Sequence, residues 1–296
     1  MEPFGRRPRP TQMCDICGVH TTRDLKGLGY SDSDIRKADL THERRGWYST
    51  SAADPAVLSA VRAGGVLSCV SALKFVQNHG IPALWVPPGD TVHVRLSKGG
   101  KSRVRSRCRV KLCQGAGRPL PTAHAVDEIP VALSCAARCV AEDCWIAMCD
   151  SVLHNTPLTI PDLQAAMGTV SQTVRTMMSR CDSRSETGTE SIVRVRLRAA
   201  GYRVHVQPRI GRSQRSDLRI GRLIIECDSE AYHGGEARRG DLRRDRKTVG
   251  RGWVTMRVDY FDVMHRWDDV LADIADFTSS ERHRIRRPQD FPGLID

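Results

Sequence analysis

Asp217, Glu226 and Asp228 are the residues whose types and spacing could do chemistry, because a short hairpin would gather them at one place. Gly221-Arg222 has the Gly-X order that suits a two-residue type II′ turn. With that turn, Ile220 faces Leu223, and counting back puts Asp217 opposite Glu226 on the same face. Asp228 lies two residues beyond Glu226 and so projects on that side as well. Acids so close repel one another unless a cation compensates them, and hard oxygen donors suit Mg²⁺ or Mn²⁺. The expected metal ligands are Asp217, Glu226 and Asp228, with Glu190 as a further catalytic candidate. His233, five residues after Asp228, is the candidate for proton transfer, since an imidazole titrates near neutrality.

The surroundings are strongly basic. Ten arginines but only three acids, Glu186, Glu190 and Asp217, fall between Arg184 and Arg222, and a second basic run extends from Arg238 to Arg251. The whole chain carries a formal charge of +12, which favours a polyanionic partner. Acids held at one point in such a field suit a nucleic acid gripped by its phosphates and attacked at a metal. Arg194, Arg215, Arg243 and Arg244 are the expected phosphate contacts around the acids. DNA is the expected partner, although a phosphate-directed cleft does not by itself choose between DNA and RNA. Single residues have plainer roles to weigh against these. Glu190 suits a helix cap or a pair with Arg194, His233 a loop, and Asp241 and Asp245 ion pairs with neighbouring arginines.

Three parts are expected to position these groups: residues 1–54, 55–180 and 181–285. The first reads as a winged helix-turn-helix. Thr21-Thr22 and Ser31 can cap two short helices, Gly29 supplies the turn, and Arg44-Arg45-Gly46-Trp47-Tyr48 forms a basic, aromatic tip. Arg36, Lys37, Arg44 and Arg45 are its expected DNA contacts. The α/β middle region has a helical stretch broken at Gly64-Gly65, alternating strands near residues 91–96 and 105–113, and an apolar helix over 133–153. Its Gly-rich loop at 114–121 lacks the Lys-Ser/Thr of a phosphate-binding loop. It offers no legible chemistry and reads as scaffold. In the last part, Thr187-x-x-Glu190 is a capping box opening a helix that runs through Ala200. A strand at 204–206, the acidic hairpin, a helix over 236–249, a strand at 253–258 and an amphipathic helix over 267–277 complete an α/β unit.

The eleven cysteines do not form a disulfide framework. Cys135, Cys139, Cys144 and Cys149 read as small hydrophobes in one helix-like run, and reduced thiols fit a cytosolic setting. Cys14-x-x-Cys17 has metal-ligand spacing, but its nearest second pair, Cys108 and Cys113, is distant and spaced by four, which argues against zinc. Met13, Ile16 and Cys17 read instead as the buried side of a first helix. No stretch approaches a membrane span, and the N-terminus lacks the apolar core of a signal peptide, so a cytoplasmic protein is expected.

Residues 183–278 resemble the endonuclease domains related to very-short-patch-repair endonucleases, within the PD-(D/E)xK nuclease superfamily. The likeness rests on Glu190, Asp217, Glu226-Cys-Asp228, His233, Asp241, Arg244-Asp245 and Gly252-Trp253 in that order. The first 50 residues are similar to the winged-helix domain of AbiEi-type abortive-infection antitoxins. The resemblance implies an α+β or α/β protein with a restriction-endonuclease-like C-terminal domain and an Mg²⁺-dependent endodeoxyribonuclease activity. The superfamily lysine two residues after the catalytic acid is replaced by Asp228, which leaves the proton-transfer role open. The alternative is an antitoxin-like regulator whose nuclease fold only holds DNA. A homodimer and a toxin or defence-system partner stay open.

Overall fold

A computed structural model of the chain describes residues 16–97, 109–117, 119–210, 215–228, 252–279, 283–284 and 294–295. Internal contacts divide the chain into two units, one of residues 1–145 with 158–176, the other of 146–157 with 177–296. Both mix helices with small sheets, and no described helix is long and apolar enough to cross a membrane.

The first unit begins with β1 (Val19–Thr21), α1 (Thr22–Gly27), α2 (Asp32–Lys37), β2 (Thr41–Arg44) and β3 (Trp47–Ser49), the strands paired in the order β1-β3-β2. Thr21 and Ser31 each accept from the amide three residues on, while Asp24 and Asp34 accept from the cap amides, so both expected caps are complete capping boxes. Cys17, Val19, Leu25, Ile35 and Trp47 are buried, but Ile16, expected beside Cys17 on a buried face, is 45 % exposed. Met13 lies outside the described residues.

The same unit continues with α3 (Pro55–Arg62), β4 (Val66–Leu67), α4 (Cys69–His79), β5 (Val92–Arg95) and β6 (Val110–Cys113). β5 pairs antiparallel with β4 and parallel with β6. Between α3 and β4, a Cβ on Gly65 would lie 2.4 Å from Val94 and 2.5 Å from the Arg95 carbonyl, so only glycine lets the turn press against β5. Arg95 is buried and donates to both carboxylate oxygens of Asp127 at 2.6 Å. The expected single helix over 133–153 is two, α5 (Ile129–Ala136) and α6 (Glu142–Asn155). Glu142 and Asp143 favour a fresh N-terminus by charge, a start that the unbroken apolar pattern conceals. α7 (Ile160–Met167) and α8 (Gln172–Ser179) follow.

In the second unit, α9 (Gly188–Ala199) contacts a four-stranded sheet built of β7 (His205–Val206), β9 (Leu218–Ile220), β10 (Leu223–Asp228) and β11 (Val254–Asp259). The strand order is β11-β10-β9-β7, with β10 and β11 parallel and the other pairs antiparallel. β8 (Arg209–Ile210) pairs with β12 (Leu294–Ile295), and α10 (Tyr260–His265) and α11 (Trp267–Ser279) follow β11. Leu223 pairs with Ile220 as the turn chemistry requires, and Gly221 holds φ +56 while Arg222 does not enter the positive region. The Arg222 amide is bound by the His283 carbonyl at 2.7 Å.

Arg194 corrects an expectation. It is fully buried, and its guanidinium donates to Asp150 Oδ2 at 2.5 Å and to the Arg180 carbonyl at 2.8 Å. Asp150 also accepts from the Ser191 hydroxyl and the Asp182 amide, both at 2.7 Å. Such a residue touches neither phosphate nor Glu190; it ties α9 to α6. Burial pushes the Asp150 carboxyl up, against the pull of Arg194. Removing one partner strands the other charge in a low-dielectric interior. Arg194→Ala is therefore expected to cost about 3–5 kcal/mol, against less than about 0.5 kcal/mol for Arg36→Ala on an exposed face. Urea denaturation measures both, and equal midpoints for the two variants would refute the structural role.

Candidate active site

Glu190 sits in the first turn of α9, where its side chain closes the capping box. Oε1 accepts from the Thr187 amide and Oε2 from the Glu186 amide, each at 3.1 Å. That geometry leaves the residue 2 % exposed. Asp217 precedes β9, and its Oδ2 accepts from the Cys227 amide of β10 at 2.8 Å. The charge of Asp217 reaches Glu190. Burial and then the charge of Asp217 push the Glu190 carboxyl up from 4.5 to about 7. Asp217 is also raised, by burial first and then by Glu186 and Asp228. Among the described residues, neither Glu190 nor Asp217 has an ion-pair partner.

Gln207 joins these two acids, and nothing in its type or position announced that in the sequence. Its side-chain amide donates to Glu190 Oε2 at 3.0 Å, while its backbone amide donates to the Asp217 carbonyl at 2.9 Å. To do both it holds φ +48, a left-handed conformation that non-glycine residues adopt at a cost. Gln207 also lines a cavity of about 310 Å³ with Arg184, His205, Arg209 and Arg215. Arg209 and Arg215 are exposed there, whereas Arg184 is held by Asp182 at 2.8 Å.

The outer acids are arranged differently. Glu226 and Asp228 alternate with Cys227 along β10, Glu226 half-buried and Asp228 exposed. Across the parallel ladder Glu226 lies opposite Arg257, whose guanidinium pairs with Asp228 at 3.1 Å. The hairpin register runs from Leu223 with Ile220 to Ile225 with Leu218, so Asp217 and Glu226 each lie one residue beyond the last pair. The site is nonetheless looser than a closed metal shell. Among the described residues, the one group of three or more donors within 4.8 Å of one another is Cys69, His93, Cys113 and Cys139 in the first unit.

That thiol group is the second feature sequence reasoning missed. Cys139 was expected as a helix-face hydrophobe and instead lies in the turn between α5 and α6. Of the residues first considered for zinc, Cys14 and Cys108 lie outside the described residues, and Cys17 is buried with its thiol on the Val19 carbonyl.

The remaining expected contacts divide clearly. Arg36, Lys37, Arg45 and Arg215 are exposed. Arg44 is not available as expected, because its guanidinium donates to the Gly64 and Gly65 carbonyls at 3.0 Å and stacks 4.5 Å from the Trp47 ring centre. His233, Arg243 and Arg244, with Asp241 and Asp245, lie outside the described residues. No protein family, curated protein or solved structure with which the chain was compared matches it.

A carboxyl whose folded value exceeds its unfolded value keeps its proton in the native state. The stability this provides is complete below pH 4.5 and is lost as pH rises through about 7. Glu190→Gln removes the titration. In chelator-treated protein, the variant should gain on the wild type between pH 5 and pH 8 by up to roughly 3 kcal/mol. Denaturation curves at the two pH values measure this, and parallel pH profiles would show that Glu190 is not perturbed.

Proposed function

We propose that the second unit is a metal-dependent nuclease acting on DNA phosphodiesters, with Asp217 and Glu226 as its central acids. The observation that carries this reading is the buried Glu190 with the half-buried Asp217, neither with an ion-pair partner among the described residues, beside an arginine-lined cavity and joined to it by Gln207. Two adjacent carboxyls in a low-dielectric setting hold a proton or a cation, and oxygen donors of this kind suit Mg²⁺ or Mn²⁺. Asp217 and Glu226 would hold such an ion, with Asp228 and Glu190 in support. When bound, it would polarise a phosphate oxygen and acidify a water.

The chain's own residues supply the rest. Arg209 and Arg215 draw the phosphate backbone toward the cavity. Gln207 fixes Glu190 relative to Asp217, so that the acids present a set geometry rather than a mobile one. Arg257 lies opposite Glu226 in the ladder and offsets the charge of Asp228, the residue at the superfamily's lysine position. The resemblance of residues 183–278 to very-short-patch-repair-like endonucleases belongs to this same reading. So does the winged-helix reading of the first 54 residues, in which Arg36, Lys37 and Arg45 meet DNA from an exposed face.

A second reading has its own observation. The Arg257–Asp228 ion pair and the spread of the acids beyond a closed shell favour a protein that holds DNA without cutting it, as an antitoxin-like regulator would. Supercoiled plasmid incubated with Mg²⁺ or Mn²⁺ separates the two. The nuclease reading expects nicking that Asp217→Ala and Glu226→Ala abolish while DNA binding is retained. Arg209→Ala with Arg215→Ala should weaken binding evenly across sequences and lower the salt dependence by about two phosphate contacts. Binding by the wild type with no nicking under either metal would establish the regulator instead.

A further inference from the structure

Four side chains from four separate elements of the first unit converge on one point. Cys69 opens α4, His93 lies on β5, Cys113 ends β6, and Cys139 sits in the turn after α5. Their ligand atoms all fall within 4.8 Å of one another. Cys113 Sγ is 3.4 Å from His93 Nδ1 and 3.3 Å from Cys139 Sγ. A tetrahedral zinc ion with Zn–S near 2.3 Å and Zn–N near 2.0–2.1 Å would set its ligands roughly 3.5–3.8 Å apart. The group is therefore close to the edges of such a tetrahedron without any ion to draw it in. We propose that Cys69, His93, Cys113 and Cys139 form a closed, structural Zn²⁺ site.

Packing of small hydrophobes does not account for this arrangement. Cys69 holds φ +56, a left-handed conformation that costs a cysteine about 1–3 kcal/mol and needs compensation. His93 is locked to the Cys69 segment by its backbone, since the Ser68 amide donates to its carbonyl at 3.0 Å and its own amide donates to Ser71 Oγ at 2.9 Å. Three thiols and an imidazole, three of the four residues buried, are the soft donor set that a structural zinc ion takes.

The surroundings complete the argument. Three thiolates and a neutral imidazole around Zn²⁺ leave one net negative charge. Lys111 on β6 stands beside it, donating to the Cys139 carbonyl at 3.2 Å, a cation next to the negative shell. Separations of 3.3–3.4 Å leave room for a single ion and not for an iron–sulfur cluster. With all four positions filled by protein, the site leaves none for substrate, so its work is to hold the ends of β5, β6 and α5 against the start of α4.

The site is independent of the nuclease reading and is tested without it. Full-length protein purified under reducing conditions from zinc-supplemented medium is expected to carry about one zinc per chain by elemental analysis. Cys139→Ser and His93→Ala should lose it, and Cys144→Ser, a buried thiol outside the group, should retain it. Because the ligand variants can fail to fold, two measurements on the wild type stand beside them. Alkylation with mass spectrometry should find Cys69, Cys113 and Cys139 protected until a chelator is added. Cobalt exchange should give the intense visible bands of a tetrahedral thiolate site. Wild-type protein without stoichiometric zinc and without those bands would overturn the proposal, as would iron in its place or a Cys113–Cys139 disulfide.

Discussion

Burying Glu190 within reach of the charge of the half-buried Asp217 is the constraint around which the second unit's site is organised. Glu190 could cap α9 in water without difficulty, and Asp217 could flank a strand in the same way. With Asp217 nearby and water excluded, Glu190 no longer ionises as a free carboxyl. The local structure is arranged to keep them there regardless. The Thr187 and Glu186 amides hold Glu190, the Cys227 amide holds Asp217, and Gln207 bonds to both from a strained backbone. Natural proteins accept such frustration where a site has work to do. Asp150 with Arg194 shows the opposite solution in the same unit, a buried acid given a buried cation and two further donors.

What was legible in the sequence is what local chemistry dictates. The capping boxes at Thr21, Ser31 and Thr187 follow from residues three apart, and the β9–β10 register follows from Gly221-Arg222 alone. The mixed α+β character followed from the same local signals. Charge misled where it was taken to mean exposure. Arg194 and Arg44 carry the same side chain as Arg45 and Arg215, yet one is sealed against Asp150 and the other spent on two carbonyls. Only tertiary packing separates these cases, and a single sequence does not contain it.

The thiol group was illegible for a related reason. Zinc sites are recognised by short Cys-x-x-Cys spacings that place two ligands on one turn, and here no two ligands are closer than twenty residues. Cys139 was further masked by the apolar run on both sides, which reads as one helix although the chain breaks at the cysteine. The usable signal was compositional, namely more cysteines than a reduced core of this size requires. The observed group and the expected acidic site thus sit in different units and answer to different chemistry, soft sulfur in one and hard oxygen in the other.

The position of Arg44 has a consequence for how residues 16–50 would present their cations. Its two bonds to Gly64 and Gly65, with Arg62 bound to Glu43 at 2.7 Å, fasten the β2–β3 hairpin to the turn between α3 and β4. That leaves no slack tether between this small sheet and the next. A module on a flexible leash samples a volume set by leash length, and its local concentration falls as the leash grows. One riveted to its neighbour presents its exposed Arg36, Lys37 and Arg45 at a fixed angle. Its reach then depends on the tumbling of the whole unit, and a rigid geometry of this kind rewards a partner with a matching spacing of charges rather than any nearby polyanion.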